Sequence, residues 1–247
     1  MKALFLFAFI IATILFFPSC KKENMGDCFK KTGIVQRETR MLEDFDSLVL
    51  SNRINLILIE DTVNYAEIEA GSQLIDMIKT EIKHSRLEIE NENKCNWSRS
   101  YDVPVNVYLH YNRLIRIVMY GSSTITNRDT LRADTLIVEY RDASGIVNLN
   151  VNNQFLNIIQ HTGAGDAVVK GKTNALSVYT ASLGYCDMRG LSASYVYVSS
   201  YSSADCYVYG TEEFDLQTHE DGSIYYTGPG SVNSQQRFGE GTISRVY

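Results

Sequence analysis

The chain has 247 residues, 21% of them charged, and a formal net charge of −6. That length is enough for a single domain with a sizeable core. Neither sign of charge is concentrated, which argues against nucleic acid, whose recognition requires a basic face.

Residues 1–19 read as a targeting segment. Lys2 gives a positive start, Ala3 to Phe17 is an uncharged apolar run, and Pro18-Ser19-Cys20 ends it. The run fits a signal peptide and is short for a membrane span. The Ser19-Cys20 junction resembles the lipobox of bacterial lipoproteins, with Phe17 and Pro18 departing from the usual Leu and small residue. The resemblance implies cleavage before Cys20, lipid on Cys20, and an outer-membrane lipoprotein held in the cell envelope. An ordinary signal peptide with a chance cysteine is the alternative. Losing residues 1–19 removes Lys2 and shifts the net charge to −7. Residues 20–44 are charged and without period, and read as a tether.

Residues 45–247 read as one β-helix domain. Its first part, 45–111, is irregular. Phe45 to Leu50, Ile54 to Ile59, Tyr65 to Ala70 and Val103 to Tyr111 carry strand patterns. After Gly71-Ser72, the spacing of Leu74, Ile75, Ile78 and Ile82 predicts a short helix, a candidate cap for the end of a repeat stack. Leu87 to Glu90 returns to alternation.

Residues 112–230 repeat one pattern six times. Each copy has an alternating apolar run, a small-residue corner, and a second run. The position after each corner is Ile125, Ile146, Ala167, Cys186, Cys206 and Ile224, at intervals of 21, 21, 19, 20 and 18 residues. A period near 20 marks a solenoid. Leu136, Leu156, Leu176, Val196 and Phe214 precede the markers, and Val138, Ile158, Val178, Val198 and Leu216 follow two residues on. That alternation indicates half-buried strands. Gly171, Gly190, Gly210 and Gly228 each fall four residues after a marker and predict a corner. The fold class is therefore all-β, most simply a parallel β-helix, with a β-sandwich as the alternative. Residues 231–247 are expected to close the far end.

Cys186 and Cys206 are expected to stack in the core as a thiol pair or a disulfide, and Cys28 and Cys95 either pair or are unrelated. Gly165 to Thr173 looks like a phosphate loop but has five residues between its glycines, and a strand follows where a helix is needed. His84, His110, His161 and His219 show no metal-ligand spacing, and no serine sits in a nucleophile elbow. Neither cofactor nor metal is expected. Single charges at equivalent coil positions, such as Asp187 and Arg189, show no acid pair, so an enzyme is the weaker reading. Asp46-Ser47-Leu48 and three similar triplets resemble O-glycan acceptors, as chance strand sequence also would.

Nine of the sixteen tyrosines lie between Tyr179 and Tyr226. Tyr207 and Tyr225 share a coil position, with Tyr209 nearby. They read first as a ladder that stabilises stacked strands, and alternatively as a face that stacks on glycan or engages an envelope or matrix protein.

Phe45-Asp46-Ser47-Leu48, then Ile54-Asn55-Leu56 with Arg53 where a glycine is usual, then Leu74 to Ile78 leading to Leu87-Glu88-Ile89, and the repeated corners together resemble the putative auto-transporter adhesin family, also called the head GIN domain. The resemblance spans Phe45 to Val246. It implies a right-handed β-helix in a secreted protein or lipoprotein of Gram-negative bacteria, and brings no catalytic residue.

Overall fold

The computed structural model describes residues 32–93 and 104–246. The expectations for the signal peptide, Cys20, Cys28 and Cys95 lie outside these residues. The described chain is all-β, a parallel solenoid of about six turns. It begins with β1 (Val35–Met41), β2 (Ser47–Ser51), β3 (Asn55–Glu60) and β4 (Tyr65–Gly71). Next come β5 (Ile78–Lys83), β6 (Arg86–Asn91), β7 (Asn106–Tyr111), β8 (Arg116–Gly121), β9 (Thr124–Asn127) and β10 (Leu131–Ala143). The regular coils are β11 (Ile146–Gln160), β12 (Asp166–Thr180), β13 (Cys186–Ser200) and β14 (Cys206–Thr218). β15 (Ile224–Thr227), β16 (Ser231–Arg237) and β17 (Ile243–Arg245) finish the stack.

Each regular coil is one long strand followed by a five-residue corner. Alternation explains why the strand forms and which way it faces. In β11, Val147, Leu149 and Val151 are buried while Asn148, Asn150 and Asn152 face water. Stacking in parallel register then aligns the inward residues into continuous columns. Leu136, Leu156, Leu176, Val196 and Phe214 form one, and Val138, Ile158, Val178, Val198 and Leu216 another. All ten are at most 2% exposed, so each leucine contributes about 1.5–3 kcal/mol of burial. Gly171 shows why the bend in β12 requires glycine. Its φ is +112°, and a Cβ there would lie 2.0 Å from the Val151 carbonyl oxygen of the coil below.

The column through the cysteines runs Ile125, Val147, Ala167, Cys186, Cys206, Ile224 and Ile243. Ile146, expected in it, is 45% exposed. Alternation overrides spacing here, because placing Ile146 inside would turn Val147, Leu149 and Val151 out. Cys186 and Cys206 are register partners, both buried and both free thiols.

The first coils stack out of sequence order. β2 lies between β6 and β8, and β3 between β7 and β9. The end is closed by antiparallel strands, β4 on β7 and β1 on β4. The helix expected after Gly71 is absent. Residues Ile75–Met77 make one 3-10 turn, and Ile78–Lys83 is β5, an antiparallel partner of β6. The β-branched residues at 78, 80 and 82 favour the pleated strand. His84 (φ 51°) and Ser85 (φ 59°) then make a two-residue hairpin turn. The tether read over 20–44 also needs correction, because Val35–Met41 is a strand of this closing layer. Arg37 bonds Glu69 across it at 2.8 Å. Charge on such an edge strand opposes pairing with other chains.

Candidate binding surface

The predicted tyrosines sit on the first arm of the late coils. Tyr207 and Tyr225 are register partners, with ring centroids 5.0 Å apart and planes 17° from parallel. Asp187 is the register partner of Tyr207 on the other side. Arg189 bonds Asp187 through Nη2 at 2.5 Å and lays its guanidinium 4.8 Å from the Tyr207 ring. The Arg189 guanidinium holds the Asp187 carboxyl below the usual carboxylate range. Tyr207, Tyr209 and Tyr225 are all half-buried. Tyr209 pairs with Thr227 and is outside this ring stack. The faces of Tyr207 are covered by Tyr225 and Arg189, which is the arrangement of a stabilising ladder.

The second arm carries a longer row of rings. His161, Tyr179, Tyr201, His219 and Phe238 succeed one another at centroid distances of 6.1, 5.8, 3.9 and 4.5 Å. The last two contacts are stacked within 9° of parallel. Strand spacing lengthens this row to about 19 Å over four inter-strand steps. Tyr179, Tyr201 and Phe238 are 37%, 44% and 63% exposed. The row follows from the strand ends: each ring sits at or just after the end of β11, β12, β13, β14 or β16, where the chain leaves for its corner.

At the head of the row, β10 places Glu139. Its side chain is 2% exposed, and Arg116, Arg141 and His161 all reach its carboxylate. Arg116 donates to one oxygen. Arg141 Nε donates to the other at 2.5 Å, and His161 Nε2 is 3.1 Å from the same atom. Burial pushes this carboxyl up, but the two guanidiniums outweigh it and hold it below the usual range. Beside it opens a cleft of about 450 Å³, walled by the β5–β6 hairpin and floored by β2, β8 and β10.

The remaining motifs resolve into structure. Asp166 to Thr180 runs as one strand through the phosphate-loop look-alike. His110 stacks on Tyr65 at 3.9 Å and bonds Asp61 at 2.9 Å. Among the described residues, no group of three His, Cys, Asp or Glu side chains is placed to hold a metal ion. The Tyr207 pair was visible in the sequence because identical residues recur at one offset. The exposed row was missed because it mixes three residue types, with Tyr179 displaced from the others.

These features define a β-solenoid with stacked rings on two of its arms. The model of the family described as "Putative auto-transporter adhesin, head GIN domain" matches residues 44–230, and the chain belongs to that family. Among solved structures, a putative adhesin from Bacteroides fragilis superposes with a TM-score of 0.79 at 20% identity, covering 86% of this chain and 97% of its own. A putative adhesin from Parabacteroides merdae gives 0.64 at 18% identity, with 88% and 98% covered. A protein from Parabacteroides distasonis described as a putative lipid binding protein gives 0.63 at 16% identity, with 87% and 98% covered. At these identities the likeness is one of fold. No curated protein sequence matches the chain.

Proposed function

We propose that this chain is a non-catalytic binding protein of the cell envelope, held at the outer membrane by lipid on Cys20. Its right-handed solenoid presents the row from His161 to Phe238 to a glycan or a matrix protein. The observation that carries the reading is the row itself, rings stacked in register on rigid strands with Tyr179, Tyr201 and Phe238 exposed to solvent. Such rings supply large contact area with little conformational entropy to lose. Membership of an adhesin-type family supports it, and none of the three neighbours above is named as an enzyme. The Tyr207–Tyr225 pair is assigned the structural role, since both rings are half-buried and Arg189 covers the second face of Tyr207.

A glycan and matrix-protein array tests the surface. The combined Tyr201→Ser and Phe238→Ser variant is expected to lose retention of the wild-type ligand, with a Tm drop of no more than about 4 °C. Retention unchanged by that variant would remove the row from the reading, and cleavage of any polysaccharide on the array would refute the non-catalytic part. The anchor is tested by fractionation. Cys20→Ser is expected to move the protein from the membrane pellet to the soluble fraction.

A further inference from the structure

We propose that the cleft beside Glu139 is an anion-binding subsite, and that the ligand of the ring row is an acidic saccharide bearing a carboxylate or sulfate. This rests on the reading of the row as the binding surface and names its ligand class. Lys83, Arg86, Arg116 and Arg141 all line the one cleft, on a chain whose net charge is −6. Their carboxylate partners are fewer. Lys83 bonds Glu81 and Arg86 bonds Glu88, but Arg116 and Arg141 share the single carboxylate of Glu139. One positive charge is left uncompensated. Arg116 and Arg141 have side chains 40% and 50% exposed, so a ligand can reach them.

The geometry also separates roles within the guanidiniums. Arg116 gives Glu139 a bond from Nη2 and Arg141 gives one from Nε. Each guanidinium carries five donors in a fixed fork suited to planar or tetrahedral oxyanions. Buried Glu139 thus acts as a positioning residue, which holds two arginines at the cleft floor without neutralising both.

Continuity with the row fixes the kind of anion carrier. His161 touches the same Glu139 oxygen as Arg141 and is also the first ring of the row, 6.1 Å from Tyr179. Glu139, Ile159 and Tyr179 are successive register partners on one face of the sheet. A chain of sugars with its acidic residue in the cleft would continue along the rings toward Phe238, about 24 Å away over five strand steps.

Calorimetric titration of the intact protein with three probes tests this: an oligogalacturonate, a heparin-derived sulfated oligosaccharide, and a neutral oligoglucan. At least one acidic probe is expected to bind ten times more tightly than the neutral one, and more weakly as salt rises. Which acidic probe wins distinguishes carboxylate from sulfate. Arg141→Gln is expected to weaken that binding at least tenfold. Because it also disturbs Glu139, Arg86→Gln on the hairpin wall serves as the second variant, with about fivefold weakening and an unchanged Tm. Equal affinity for neutral and acidic probes, or affinity indifferent to both variants, would overturn the subsite and leave the ring row standing. If no probe binds at all, the subsite falls, whereas the row falls only if Tyr201→Ser with Phe238→Ser leaves array retention intact.

Discussion

Two sets of stacked rings run along the same late coils, and they differ in what they leave open. Tyr207 and Tyr225 are paired residue for residue and half-buried, and Arg189 covers the other face of Tyr207. The row from His161 to Phe238 passes through more coils and ends on a phenylalanine 63% exposed. A parallel solenoid aligns like positions automatically, so a ladder of rings is no sign of a ligand in itself. The distinction lies in how much of each ring stays exposed once the rings have stacked.

That contrast can be broken by substitution. The largest effect is expected from Tyr207→Ala with Tyr225→Ala, about 2–3 kcal/mol of unfolding free energy from lost burial and stacking. Ligand retention should stay at the wild-type level. The matched change in the other set, Tyr201→Ser with Phe238→Ser, should cost about 1 kcal/mol or less while abolishing retention. Urea denaturation alongside the array reads both. If the two variants trade places, the roles assigned to the two sets are reversed.

The smallest effect sharpens the comparison through pH. Asp187 is held below its ordinary pKa by Arg189, and Arg189 in turn covers Tyr207. A depressed carboxylate contributes stability that is complete above the unfolded value, about 3.9, and is lost as pH falls through the lower folded value. Asp187→Asn should therefore cost about 0.5–1 kcal/mol at pH 7. Its denaturation midpoint should converge on the wild-type one as pH falls below about 3.9 and through the lower folded value. A gap that persists there would mean that the loss comes from packing rather than charge.

Much of the fold was legible because period-two burial and a period near 20 reinforce each other. The columns through Leu176 and Val178 appear in the structure as the sequence places them. Where only one signal was present, the reading slipped. Ile146 satisfied the long period but violated the alternation of Val147, Leu149 and Val151. Leu74, Ile75, Ile78 and Ile82 fitted helical spacing, but Ile78 and Ile82 lie on a strand whose pairing with β6 no local pattern reveals. Val35–Met41 carries too few apolar residues to announce itself, and is held by its pairing with β4. The cleft was illegible for a related reason. Arg116 and Arg141 come from adjacent coils, while Lys83 and Arg86 arrive from a hairpin some thirty residues earlier.

The placement of β2 and β3 inside the stack has a bearing on how the molecule is assembled. Leu48 is sandwiched between Leu87 and Ile117, and Leu56 between Val107 and Ile125. As the polypeptide emerges, β2 and β3 have neighbours on both sides only once the stretch up to residue 127 has followed. From Ile146 onward each strand stacks on one that lies one or two elements earlier in the chain. Formation of the N-terminal half is thus a single cooperative commitment, after which growth toward the C-terminus proceeds by short-range additions that cost little loop entropy.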